Sequence, residues 1–287
     1  MPQPPDVPAA PASSDDPSTV GLVTAYLDDQ RAALIAGDAA LRTGDLAAVH
    51  PTRVASRRFR SVLRALTPLF DENEAMVLEE SLRWWGRVLG RARDVEIISG
   101  QFAEALDQLR APDELTATGD GPIQEHLASR AEQARAGIAK ALARPRYATM
   151  MRRIEALHDD PAVAGAQVSA GELVRHVARA VERHRELLRV AADDEERLHD
   201  ARKAAKDARY LAELARPALG APAEDVVREM TEAQDRLGAR QDRVTVRAFV
   251  RELDDAAERG EIVLDGPDRR VVDLLRSGSA VDGPAPR

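Results

Sequence analysis

The chain has 287 residues, a formal net charge of −8 and 44% hydrophobic residues, enough apolar material for a sizeable core. Aromatic residues make up only 3% and cysteine is absent. This excludes disulfides, thiolate metal sites and a cysteine nucleophile, and favours closely packed helices of Ala, Leu and Val over a β-sandwich.

Residues 1–17, MPQPPDVPAAPASSDDP, offer little to bury and are predicted to be a disordered tail. They lack the basic and apolar regions of a secretory leader, and no later run approaches the ~20 apolar residues that span a bilayer. The expectation is a soluble, cytoplasmic protein with no membrane partner. A single globular region, 18–276, follows, and SGSAVDGPAPR at 277–287 is a second predicted tail.

Prolines at 51, 68, 112, 122, 145, 161, 217, 222 and 267 punctuate the globular region, leaving long stretches free of helix breakers. LVTAYLDDQRAALIAGDAAL and ELVRHVARAVERHRELLRV carry apolar residues at three- and four-residue spacing. Ser169 with Glu172, and Asp193 with Glu196, have the spacing of helix-start capping boxes. Two-residue alternation is weak throughout, so the fold class is all-α. Its Pro and Gly punctuation argues against one continuous coiled coil.

The stretch HPTRVASRRFRSVLR, residues 50–64, holds His50, Arg53, Arg57, Arg58, Arg60 and Arg64 and no acid. On a helix, with about 100° per residue, His50, Arg53, Arg57, Arg60 and Arg64 share an arc of roughly 80° over about 21 Å. Phe59, Leu63 and Leu66 point the other way. Like charges at this spacing repel, so an uncompensated stripe points to an external anion, for which guanidinium groups are paired-donor ligands. The plainer alternative is a solvated face, or one ion-paired to acidic helices, for which 49 acidic residues are available.

The pattern recurs 149 residues later as His199, Arg202, Lys206 and Arg209, with Lys203 and Tyr210 beside them. LGRARD, with Leu89, Gly90 and Asp94, likewise recurs as LGARQD, with Leu237, Gly238 and Asp242, at an offset of 148. Two landmarks repeating at nearly one spacing imply a duplicated helical unit, with halves 18–160 and 161–276. Arg83, Arg87 and Arg91 share one helix face beside Trp84 and Trp85, and with Arg93 form a candidate extension of the basic surface. Arg144, Arg146, Arg152 and Arg153 around Pro145 form a weaker third cluster. Asp94 and Asp242 are expected to be structural, as helix caps or partners of arginines. The histidines carry no local carboxylate ligand pattern, so neither a metal nor another cofactor is expected.

These segments resemble the CHAD family, the conserved histidine α-helical domain, whose first motif runs His-x-x-Arg-Val-x-x-Arg-Arg-x-Arg. His50, Arg53, Val54, Arg57, Arg58 and Arg60 match it. LHDARKAAKDARYLAEL is similar to the second motif through Leu198, His199, Arg202, Lys206, Arg209 and Tyr210, and LGRARD to a Leu-Gly-x-x-Arg-Asp segment. The resemblance implies two pseudo-symmetric antiparallel helical bundles around a basic central cleft. It further implies non-catalytic binding of inorganic polyphosphate and, in some members, association with polyphosphate granules. It, and not the spacing, selects polyphosphate from other polyanions.

Three departures accompany the match. Asp207 stands where the first copy has Arg58, and Glu213 where it has Arg64, so the second copy is expected to bind less strongly. Pro51 requires the helix either to start near His50 or to kink there. No Glu-x-Glu-x-Lys signature of a fused CYTH domain is present, so the expectation is CHAD alone. Other function classes compete. Nucleic-acid binding is disfavoured by the acidic net charge and the lack of aromatics interleaved with cations. Phosphoryl-transfer catalysis is disfavoured by the absence of a P-loop or a paired-carboxylate motif. A helical scaffold recruiting a protein partner remains open.

Overall fold

The computed structural model describes residues 19–109, 121–159, 169–192 and 194–277. The expected tail at 1–17 lies outside them, and the expected tail at 277–287 does so apart from Ser277, which closes the last helix. The described residues form α1 (Thr19–Arg42), α2 (Val49–Ala65), α3 (Glu72–Leu109), α4 (Pro122–Leu142), α5 (Pro145–Asp159), α6 (Ala170–Ala191), α7 (Glu195–Leu219), α8 (Ala221–Glu258) and α9 (Gly266–Ser277). Single 3-10 turns at Leu46–Ala48 and Thr67–Leu69 flank α2, and the described residues include no strand. None of these helices is long and apolar enough to cross a membrane.

Local chemistry accounts for the helix starts. Pro122 and Pro145 each open a helix, and Pro222 and Pro267 are second residues. In the first turn the missing N–H of proline costs nothing. Pro51 follows the same rule: α2 begins at Val49, so the proline falls in its first turn and no kink is needed. Ser169 and Glu172 form the capping box, Oγ of Ser169 accepting from the Glu172 N–H at 3.2 Å and Glu172 accepting from the Ser169 N–H at 2.8 Å. Asp193, the second expected start, lies outside the described residues; Asp194 caps α7, accepting from the N–H groups of Glu196 and Arg197 at 3.0 Å each.

The chain forms two compact units, and each draws on both repeat-marked halves of the sequence. One contains α1 up to Arg31, Arg58–Glu79 and Arg153–Gln234; the other contains Ala32–Arg57, Glu80–Arg152 and the chain from Asp235 onward. In the first unit α7 buries Ala201, Ala204, Ala205, Ala208, Ala212 and Ala215, small side chains that let neighbouring helices approach closely. Two of its carbonyls accept from buried side chains: Ala201 from His184 Nδ1 of α6 at 2.9 Å, and Ala205 from Gln234 Nε2 of α8 at 3.3 Å. In the second unit Ile98 and Phe102 of α3, Ile123 of α4, Phe249 and Leu253 of α8 and Val272 of α9 build one apolar core. Close approach there also involves α1 and α2, where a Cβ on Gly37 would lie 2.0 Å from Thr52 Oγ1.

Candidate functional site

Helix α2 contributes its residues up to Arg57 to the second unit and those from Arg58 to the first. In the second unit Arg53, half-buried, extends along α3 and its Nη1 donates to the Gly86 carbonyl at 3.3 Å. Gly90 makes room for it: a Cβ at that position would lie 2.5 Å from the same Nη1. This explains the glycine of the Leu-Gly landmark. Arg57 of α2 and the exposed Arg87 and Arg91 of α3 have no carboxylate partner among the described residues. Arg83 is also exposed, and Arg93 pairs with Glu96 at 2.6 Å. The His50 imidazole is held below its ordinary pKa, first by desolvation and then by the positive charge of Arg93, Arg57 and Arg53, with Glu96 opposing.

Asp94 and Asp242 lie inside α3 and α8, which overturns the helix-cap alternative. Desolvation raises the Asp94 carboxyl above its ordinary value; Arg53 and Arg130 pull it down and Asp242 pushes it further up. The charge of Asp242, the counterpart in the repeated landmark, thus reaches Asp94. Trp84 and Trp85 differ in role. Trp85 is fully buried against Tyr147, ring centroids 4.8 Å apart, whereas Trp84 carries the Arg146 guanidinium 5.1 Å from its ring.

In the first unit the stripe is not uncompensated. Arg58 pairs with Glu213 at 2.9 Å, Arg60 with Glu79 at 2.7 Å and Arg64 with Asp207 at 2.6 Å. Ser61 Oγ donates to Asp207 at 2.6 Å, and the Tyr26 hydroxyl donates to Glu213 at 3.2 Å. Burial, followed by the Glu213 charge, pushes the Tyr26 phenol well above its usual range. Arg209 approaches the same carboxylate at 3.4 Å. Tyr210 is 1% exposed, and the guanidinium carbons of Arg58 and Arg209 stand 5.5 and 5.1 Å from the centroid of its ring. Along α7, His199, Arg202 and Lys206 are half-buried, while the exposed Lys203 pairs with Asp200 at 2.9 Å.

Glu79 is the residue that pattern reasoning missed. It lies on the buried face of α3 with Ala75, Leu78 and Leu82. An acid on an apolar helix face signals a cation partner, and this was the available clue. The third arginine cluster is mostly engaged locally. Within the second unit Arg146 pairs with Glu80 at 3.5 Å and Arg152 donates to Thr149 at 2.9 Å; within the first, Arg153 pairs with Glu74 at 3.1 Å. Among the described residues no group of three or more His, Asp or Glu is arranged to hold a metal ion.

Comparison with known proteins places this geometry in a family. A family model for the CHAD domain matches residues 25–251. Two uncharacterized proteins of Mycobacterium tuberculosis, MT2285 of strain CDC 1551 and Rv2226 of strain H37Rv, are each 30% identical over 255 residues, covering 85% of this chain. The chain spans 47% of the length of those relatives. Two solved structures share the fold: the CHAD domain from the plant Ricinus communis, with TM-score 0.66 and 22% identity over 97% of each chain, and PptA from Streptomyces chartreusis, with TM-score 0.66 and 15% identity over 93% of this chain and 95% of that one. Because this family model matches most of the chain, the chain belongs to the CHAD domain family.

Proposed function

We propose that this protein binds inorganic polyphosphate without chemically altering it, and that this binding brings it to polyphosphate granules. His50, Arg53 and Arg57, with Arg87 and Arg91, supply one set of phosphate contacts, and Arg58, Arg64, Arg202, Lys203, Lys206, Arg209 and His199 supply a second. The observation that carries the proposal is that Arg57, Arg87 and Arg91 have no carboxylate partner among the described residues. Beside them, after desolvation, the positive charge of Arg93, Arg57 and Arg53 holds the His50 imidazole below its ordinary pKa, with Glu96 opposing. A field of that sign, held on rigid helices, suits a polymer of closely spaced phosphates. Arg60, held by the buried Glu79, acts mainly as a support for α2.

The test is a titration of fluorescently labelled long-chain polyphosphate, RNA and heparin at two salt concentrations. The expected result is tight polyphosphate binding that weakens steeply with salt through counterion release. Displacement of polyphosphate by RNA at equal phosphate concentration would refute the selectivity. Release of phosphate in the presence of Mg²⁺ or Mn²⁺, above that of an Arg53→Ala/Arg57→Ala variant, would refute the non-catalytic assignment.

A further inference from the structure

Glu213 and Asp207 occupy, in the first unit, positions that an arriving anion would need. Each carboxylate sits where oxyanion ligands converge. Glu213 accepts from Arg58 at 2.9 Å and from the Tyr26 hydroxyl at 3.2 Å, and lies 3.4 Å from Arg209. Asp207 accepts from Arg64 through both oxygens, at 2.7 and 2.6 Å, and from Ser61 at 2.6 Å. At the repeat offset of 149, Asp207 corresponds to Arg58 and Glu213 to Arg64. The pairing is reciprocal: Arg58 meets the counterpart of Arg64, and Arg64 meets the counterpart of Arg58. This crossed pattern is the one that two antiparallel copies about a two-fold axis would give. With arginine at all four positions the seam would hold cations alone, whereas this chain supplies its own anions there.

We propose that Glu213 and Asp207 are built-in counter-anions, specificity-determining residues that a polyanion must displace to engage Arg58, Arg64 and Arg209. The proposal rests on the polyanion-binding reading above and adds the means of selection. Two features favour displacement over a permanent structural lock. Arg64 and Asp207 are 45% and 33% exposed, so the outer pair is accessible and weakly held. At the inner pair, the buried Nε of Arg58 finds no hydrogen-bond acceptor, and the buried Nε of Arg209 meets Glu213 only as an ion pair at 3.4 Å without a hydrogen bond, so one carboxylate does not satisfy the donors gathered around it. A phosphate offers more acceptor oxygens and more charge than the carboxylate it replaces.

This arrangement sets a threshold. A ligand gains at the seam only by exceeding the local concentration of two tethered carboxylates. In polyphosphate, neighbouring phosphates share a bridging oxygen, and that charge density meets the threshold. In nucleic acid a sugar separates successive phosphates, and fewer charges reach the seam at once. The acidic substitutions therefore trade affinity for discrimination.

The test compares wild type with Asp207→Asn/Glu213→Gln, changes that keep acceptors for Ser61 and Tyr26 while removing both charges. Labelled polyphosphate, single-stranded RNA and heparin are titrated at several salt concentrations, and thermal melting is followed in parallel. The expected result is polyphosphate binding ~5- to 10-fold tighter, with RNA gaining at least as much. The log–log salt slope should steepen by about 1.4–2, for two or three further phosphates neutralised at about 0.7 each. Adding Arg58→Gln/Arg64→Gln to the double variant should abolish the gain. If the double variant melts early, Asp207→Asn alone, at the exposed pair, should still give a gain of roughly half the logarithm. Unchanged affinity and slope for all three probes overturns the proposal and leaves the acids as structural pairs. A gain for heparin without any polyphosphate binding sustains the counter-anion role and refutes the polyphosphate reading instead.

Discussion

Gly90→Ala separates binding from stability at one atom. The added Cβ would fall 2.5 Å from Arg53 Nη1, inside any permitted contact, but the obstructed atom is the far end of a flexible side chain. Arg53 therefore swings away and gives up its 3.3 Å hydrogen bond to the Gly86 carbonyl, a loss of about 0.5–1.5 kcal/mol. Against this, replacing glycine by alanine inside α3 contributes about 0.8–1.0 kcal/mol of helix propensity. The two effects nearly cancel, so the melting temperature should change by no more than ~2 °C. Binding should not be spared. Misplacing one guanidinium costs about 1–2 kcal/mol of charge-assisted hydrogen bonding, a weakening of roughly 5- to 30-fold. Circular-dichroism melts and polyphosphate titration by fluorescence polarisation read the two quantities separately. Arg53→Ala should weaken binding to the same extent, and the double variant should be no worse than either single one. The reasoning fails if Gly90→Ala melts more than ~4 °C early, or if it binds like wild type while Arg53→Ala does not.

Other perturbations test the surrounding structure. Gly37→Ala meets Thr52 Oγ1 at 2.0 Å, a buried hydroxyl already bonded to the Ala48 carbonyl, so overpacking of about 1–3 kcal/mol should appear as a lower midpoint in urea. Glu79→Ala removes the carboxylate that Arg60, only 21% exposed, pairs with at 2.7 Å, and should cost about 2 kcal/mol, or ~4–8 °C in melting temperature; Arg60→Met/Glu79→Leu should recover most of it. Ala192 holds φ +44°, a conformation suited to glycine, so Ala192→Gly should raise stability by about 1 kcal/mol in the same melts. Burial and then the neighbouring Asp265 raise the Asp268 carboxyl above its unfolded value, so the folded state binds the proton more tightly and stability falls as pH rises through the folded pKa. Asp268→Asn should be more stable than wild type at pH 7 in urea titrations, with the advantage shrinking near pH 4; an advantage that grows on acidification would reverse the assigned sign.

Much of this protein is legible in its sequence because the relevant physics is local. Helical periodicity, first-turn prolines and the Ser169 capping box depend on residues within four or five positions of one another. The recurrence of His50, Arg53 and Arg57 as His199, Arg202 and Lys206 is a comparison of the sequence with itself and needs no coordinates. The start of α7 shows where local logic blurs: neighbouring aspartates at 193 and 194 carry the same cap chemistry, and Asp194 is the one seen capping the helix.

The charge state of the stripe belongs to the other category. Within fifteen residues the sequence shows only cations, yet Arg60 finds Glu79 across 19 positions and Arg64 finds Asp207 across 143. Composition supplied enough acids for this and no rule for assigning them, because ion pairing depends on which helix faces meet. For the same reason Gly90 is only a repeated landmark until Arg53 is seen lying over it, and Asp207 and Glu213 are only departures from a motif until each is found on its arginine. Sequence alone thus determined the helices, their cationic faces and the family. Tertiary structure decided which cations are already neutralised, since the electrostatic energy of a charge depends on its distance to every other charge, and folding sets those distances.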